Sequence, residues 1–325
     1  MPPAKLTPEV VVQRRVTNCL RVVLAVQCVG MAARYLFVPF EQESDFFSTL
    51  VFDWEWPETL AQRYEDVGMW AMMVCGLALL VFPLVERILR YASSGPVPTL
   101  PARLWQPLPL LFITCWMLTI ALFSMWRGGP YAEWVLGEWA ARFAVPLTML
   151  AFLPTRAHPR IPERRMTDWM GILRFATAMT FIVHGWKALE HYPPFMDLVF
   201  GTFQRANLPE PQQVDVQAAL TVIGVLDLLV AALIVMTRWP GVAFYMAAWG
   251  FITAASRVTS AGWNAYAEML LRAANGGVPL VLFLYWTGLR TLERKAASEN
   301  EQANDWNTEG YEDGDEVHES ERRVG

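Results

Sequence analysis

Residues 216–236 read VQAALTVIGVLDLLVAALIVM, an apolar run with one ionisable side chain, Asp227. The hydrocarbon core of a bilayer is about 30 Å thick, so a spanning helix needs roughly 20 mostly apolar residues. This run meets that length. Seven further stretches read the same way: 16–37, 61–85, 104–126, 131–153, 169–189, 239–256 and 265–286. Each stops at a cluster of charge, Pro or Gly, and 239–256 is the shortest. A soluble protein hides one or two such helices in its core; the polar sequence remaining here is too little to cover eight. The expected fold is an all-α integral membrane protein with eight transmembrane helices.

Composition agrees. Hydrophobic residues make up 54% of the 325 and charged residues 18%, against about 25% in soluble domains. The net charge of -5 gives no reason to expect nucleic acid as a partner, and it is unevenly placed. From residue 298 onward there are ten acids and two arginines, so the preceding body carries a surplus of three positive charges. That acidic stretch, with few aliphatic residues, is expected to be a disordered tail.

Lys and Arg in the short loops set the orientation. Fourteen fall on one side: Lys5, Arg14, Arg15, Arg87, Arg90, Arg103, Arg156, Arg160, Arg164, Arg165, Arg238, Arg290, Arg294 and Lys295. The alternate side holds Arg63, Arg127, Lys187, Arg205 and Arg257. The bias predicts a multi-pass protein of a bacterial-type inner membrane with both termini cytoplasmic. No cleavable signal peptide is expected, because Arg21 interrupts the first apolar run.

The chain also matches itself. Asn18-Cys19-Leu20-Arg21-Val22-Val23 in the first span aligns with Gly171-Ile172-Leu173-Arg174-Phe175-Ala176 in the fifth, and in that register Arg34 falls on Lys187. Phe47-Ser48-Thr49-Leu50-Val51-Phe52 in one loop answers Phe195-Met196-Asp197-Leu198-Val199-Phe200 in the other. The last helix of each half carries Glu-x-x-x-Arg and then Val-Pro-Leu. These are Glu138, Arg142 and Val145-Pro146-Leu147, then Glu268, Arg272 and Val278-Pro279-Leu280. Four spans per unit predict two parallel four-helix repeats related by an axis along the membrane normal. The organisation reads as a cytoplasmic N-terminus (1–15), a first repeat (16–154), a basic linker (155–168), a second repeat (169–290) and the acidic tail (291–325).

The second unit resembles the DoxX-like family of four-helix membrane proteins. Leu173-Arg174 opens a helix that closes on His184-Gly185-Trp186-Lys187-Ala188-Leu189, and Gly224-Val225-Leu226-Asp227-Leu228-Leu229 runs on to Thr237-Arg238. In the first unit Gly30-Met31-Ala32-Ala33-Arg34 replaces the His-Gly-x-Lys signature. The resemblance implies a redox-associated membrane protein, since described members are linked to quinone-dependent sulfur oxidation or thiol redox complexes.

An ionised side chain near the centre of a spanning helix costs on the order of 2.5–3.5 kcal/mol on insertion scales, and it normally faces the bundle interior or a cavity. Glu138 with Arg142 and Glu268 with Arg272 are each one turn apart, a spacing that lets each pair neutralise itself. Arg34, His184, Lys187, His191 and Arg257 lie toward the external helix ends, and Asp227 sits near the middle of its span. His184, Lys187 and His191 share one helical face. These residues are expected to converge on a polar pocket in the outer half of the membrane, between the two repeats. In the alternative reading the Glu–Arg pairs are structural clasps and Arg34, Lys187 and Arg257 snorkel to headgroups. Arg21 and Arg174 are expected to contact lipid phosphates at the cytoplasmic leaflet. Phe46, Phe47, Phe52, Trp54 and Trp56 suit a short helix at the lipid interface.

His184 and His191 lie on one helix and cannot grip a haem from two sides, and no C-x-x-C-H motif occurs. Cys19, Cys28, Cys75 and Cys115 all fall inside predicted spans without C-x-x-C spacing, which argues against a thiol-exchange enzyme working alone. No metal site and no covalently bound cofactor are expected. Three functions follow. The first is a redox component binding a quinone in the outer pocket, where Arg and Lys stabilise a developing anion and His184 moves protons near neutral pH. The second is a non-catalytic accessory subunit of a larger membrane complex. The third is a carrier of a small anion or lipid.

Overall fold

The computed structural model describes residues 7–38, 44–92, 105–154 and 161–321, and no strand occurs among them. Twelve α-helices organise these residues. In the first half they are α1 (Pro8–Leu36), α2 (Asp45–Ser48), α3 (Glu58–Ala92), α4 (Pro107–Arg127), α5 (Val135–Glu138) and α6 (Ala140–Ala151). In the second they are α7 (Glu163–Leu189), α8 (Pro193–Arg205), α9 (Gln213–Met236), α10 (Pro240–Ala261), α11 (Tyr266–Leu270) and α12 (Ala273–Glu321). Prolines stand at the first turn of α1, α4, α8 and α10, where the missing N–H would be unsatisfied in any case.

Among the described residues four helices are long and apolar enough to cross a bilayer: α1, residues Glu58–Glu86 of α3, α4 and α9. A fifth is a bent pair, Trp263–Leu270 with Ala273–Glu299, broken by 48°. The chain is by these helices a multi-pass, all-helical membrane protein. The expected spans 169–189 and 239–256 fall in α7 and the 22-residue α10, neither of which is among these helices.

Two expected spans are not continuous. Residues 131–153 form a 3₁₀ turn at Ala132–Trp134, then α5, then a break at Trp139 (φ -93°, ψ 3°) before α6. The stretch 265–286 is likewise built from a 3₁₀ turn at Trp263–Ala265, α11, a break and α12. Both follow glycines at positive φ, Gly128 and Gly129 in one case and Gly262 in the other. Non-helical backbone at membrane depth is tolerated only where protein covers it. At the first break Gly137 lies against Val183 of α7, and at the second Leu271 lies against Gly30 of α1.

The packing order is the same in both halves. α1 packs on α3 as α7 packs on α9; α4 packs on α6 as α10 packs on α12. The last helix of each half then crosses to the first helix of the other, α6 onto α7 and α12 onto α1. Lipid tails are as apolar as Leu, so helices in a membrane are held by close packing rather than by the hydrophobic effect. Glycines mark the closest approaches. A Cβ added to Gly224 on α9 would lie 2.7 Å from the carbonyl oxygen of Gly185 on α7. One on Gly288 of α12 would lie 2.7 Å from Val12 of α1.

Two further expectations are corrected. Phe46 and Phe47 are buried rather than interfacial, and only Phe52 and Trp54 are largely exposed. Phe46 packs on Trp116, Phe123 and Tyr64, with ring centroids 5.0–5.9 Å apart, because Ser44 caps α2 and turns it into the bundle. The acidic tail does not start as coil: α12 runs on through Glu321. A helix already nucleated in the bundle extends without a new nucleation cost, and Lys295 pairs with Glu299 one turn on. Of the basic linker, Arg156 and Arg160 lie outside the described residues, as do Lys5 and Arg103.

Candidate functional site

α5 ends on Glu138, at the break before α6, and delivers its carboxylate to α7. Lys187 donates to Glu138 Oε2 at 2.6 Å, and His184 Nε2 lies 3.5 Å from Oε1. Lys187 and His184 are one turn apart on α7, which is why a single carboxylate meets both. Lys187 is buried at 6% exposure, with its ammonium 5.5 Å from the Tyr131 ring and 5.1 Å from that of Tyr192. It does not snorkel. It is held by one carboxylate and two aromatic faces, an arrangement that offsets the cost of a buried cation.

The second glutamate behaves similarly. Glu268 on α11 pairs with Arg272, whose Nη1 also donates to the Glu268 carbonyl at 2.8 Å. Its other oxygen meets Arg34 Nε on α1 at 2.6 Å. Each glutamate thus joins its own half to the first helix of the other: Glu138 to Lys187, Glu268 to Arg34.

The expectation of two self-neutralising pairs is met only by Glu268 and Arg272. Arg142 does not pair with Glu138. The break at Trp139 turns the indole over the guanidinium, 4.5 Å away, and the Arg142 carbonyl accepts from Gln27 of α1 at 3.0 Å. Arg142 is 3% exposed, and its Nε has no hydrogen-bond partner.

The cavity that the structure shows lies within the second half. A cavity of about 450 Å³ is lined entirely by residues of the second half, from Phe181 to Asn275, on α7 to α10 and the start of α12. Candidate residues His184, Asp227, Arg257 and Arg272 line it; Glu138, Arg142, Lys187, Glu268 and Arg34 do not. The cross-half ion pairs and the packing of α6 on α7 lie at the seam between the halves, where the pocket was expected. The position of the amphipathic α8 explains the cavity. It lies across α10, held by a Thr202–Thr259 hydroxyl contact of 3.0 Å and by Arg205 Nε donating to the Ser260 carbonyl at 3.4 Å. Phe195, Leu198 and Phe203 of α8 thereby form one wall. In the first half the buried Phe46 and Trp116 pack on each other, Trp116 also against Gly68.

The cavity wall is apolar apart from a few polar groups, and several of those are unsatisfied. Asp227 is engaged by the Trp249 side chain, yet its Oδ1 has no partner. Asn275 Oδ1 and Arg257 Nε are also buried without partners. A buried polar group without a hydrogen bond costs roughly 1–3 kcal/mol, so these three atoms mark where a bound molecule would be recognised. Ile252 lines the cavity and is also 58% exposed, which leaves the wall open sideways on the outer surface of α10.

The remaining residues lie elsewhere. His191 follows the end of α7 in a left-handed conformation (φ 51°), leaves the face of His184 and contacts Thr221 Oγ1 at 3.0 Å. Arg21 Nη1 donates to Asn18 at 3.3 Å and lies within electrostatic reach of Glu86; Arg174 lies similarly near Arg238. All four cysteines are free thiols. Among the described residues no three His, Cys, Asp or Glu side chains converge as metal ligands. The sequence reading missed Trp249 and Asn275. Asn275 carries a signal, a polar side chain three residues beyond Arg272 and so on the same face; an indole in an apolar span carries none. No family model, curated protein or solved structure matches this chain.

Proposed function

We propose that the chain is an eight-span membrane protein of two parallel four-helix repeats, DoxX-like in its second unit, and that it binds one lipid-soluble molecule in the cavity of that unit. The broken final helix in each half, the shared packing order and the reciprocal Glu138–Lys187 and Glu268–Arg34 pairs support the duplication. The arginine bias supports both termini in the cytoplasm and, with them, a cavity toward the outer leaflet.

The observation that carries the binding role is the cavity: about 450 Å³, mostly apolar, with Asp227, Asn275 and Arg257 each presenting an unpartnered polar atom. Ligand sites are typically 300–1,000 Å³ with a few convergent polar groups in an apolar wall. A quinone-type head group suits such a lining across its two redox states, its carbonyl accepting from Arg257 and the hydroxyl of the reduced form donating to Asp227 or Asn275, and the opening beside Ile252 suits entry from lipid. In this reading the protein is the quinone-binding component of a membrane redox assembly whose electron carrier sits on a partner subunit. Purification in mild detergent, followed by mass spectrometry of co-purified proteins and extracted quinones, tests it. Stoichiometric quinone is expected. A monomer that carries no quinone, binds none when quinone is added and brings no partner contradicts both the ligand and the assembly.

A further inference from the structure

The charges around the cavity do not balance. Glu138 is used by Lys187 and His184, and Glu268 by Arg272 and Arg34. Among the described residues Arg142 and Arg257 have no carboxylate of their own, and the Nε of each is buried without a hydrogen-bond partner. Both interact electrostatically with Arg272, Glu138 and Glu268, and Arg257 also with Arg142. Two carboxylates are thus shared among more cations than they can neutralise. Arginine does not relieve this by losing its proton. A guanidinium without a counter-anion in a medium of low dielectric is strongly disfavoured, a cost that an anion within reach would offset.

Arg142 is sealed under Trp139. Arg257 and Arg272, by contrast, line the cavity, where the wall facing them is built from side chains such as Phe181, Leu198, Leu220 and Ile223. Asp227 does not fill this role. Its partner Trp249 stands eight residues before Arg257 on α10, about 12 Å along the helix axis.

We infer that the cavity receives an amphiphile whose head group is a delocalised oxyanion, a carboxylate or an enolate, docked on Arg257 beside Arg272 with its apolar body along the Phe181–Leu220 wall. The planar guanidinium matches such a head group through two parallel hydrogen bonds. The volume accommodates a single chain or a fused-ring quinone, and a two-chain phospholipid exceeds it. This inference rests on the cavity being the ligand site proposed above and specifies the charge of its ligand.

The test uses two matched pairs on the purified full-length protein in nonionic detergent, read by native mass spectrometry and titration calorimetry. One pair is an acidic hydroxynaphthoquinone, ionised at neutral pH, and its neutral methyl ether; the other is dodecanoate and dodecanol. At least one anion is expected to bind roughly tenfold or more tightly than its neutral partner, the scale of one charge-assisted hydrogen bond. Which pair shows the difference identifies the head group as enolate or carboxylate. Arg257→Gln is expected to erase the preference, and Ala255→Phe, which fills the cavity, to abolish binding of all four probes. Equal affinity within both pairs, with loss of binding in Ala255→Phe, overturns the anionic head group and leaves the cavity reading intact. No binding of any probe or of added quinone overturns both. Should Arg257→Gln fail to fold, the wild-type ratios decide the question.

Discussion

Glu138 carries the most testable consequence at the level of single residues. It holds a buried ammonium at 2.6 Å, so Glu138→Gln leaves Lys187 without its counter-charge. Breaking a buried pair from one side typically costs about 3–5 kcal/mol, whereas replacing both partners is far milder. Thermal melts in detergent should therefore show strong destabilisation of Glu138→Gln and recovery in Glu138→Gln with Lys187→Met. A double variant no more stable than the single one would show that the pair is not the source of the loss. Asp227→Asn should behave differently. It removes a carboxylate whose Oδ1 has no partner, so stability should hold or rise while the affinity for a hydrogen-bond-donating ligand falls. Unfolding of Asp227→Asn would instead give the carboxylate a structural role. The charged residues were legible in the sequence because lipid tolerates so few of them. Their pairings were not, since spacing alone favours Glu138 with Arg142 and carries no information about a neighbouring helix or about the Trp139 ring.

Among the elements, α7 and α9 cross at a close backbone approach between Gly185 and Gly224. Gly224→Leu would force a side chain into the Gly185 carbonyl, and overpacking of this kind costs about 1–3 kcal/mol or more. Size-exclusion profiles should show loss of the monodisperse species. An unchanged profile and melting temperature would mean that the two helices separate freely. The apolar runs of α1, α3, α4 and α9 could be read directly from hydropathy. The breaks in the last helix of each half could not, because their 3₁₀ turns and kinks sit in sequences whose composition still suits a spanning helix. The position of α8 was equally hidden. An amphipathic stretch suits a lipid interface as well as it suits the wall of a cavity, and only its contacts with α10 decide between them.

For the whole molecule, two halves with one packing order are clasped by two reciprocal ion pairs, and the cavity lies within the second half. In the first half Trp116 and Phe46 are buried against each other, while α8 in the second leaves space beneath it. Parallel repeats of four spans require both termini on one side. A fluorescent protein that folds only in the cytoplasm, fused after residue 325, should be bright, and alkaline phosphatase inserted within 206–212 should be active. The reverse pattern would contradict the orientation. The most direct test of the account is equilibrium binding of a radiolabelled short-chain quinone to the purified wild type and to Ala255→Phe, matched for folding by their melting curves. The account predicts saturable binding of one molecule per chain, lost in Ala255→Phe. Absence of binding to the wild type, or equal binding to both proteins, would contradict it.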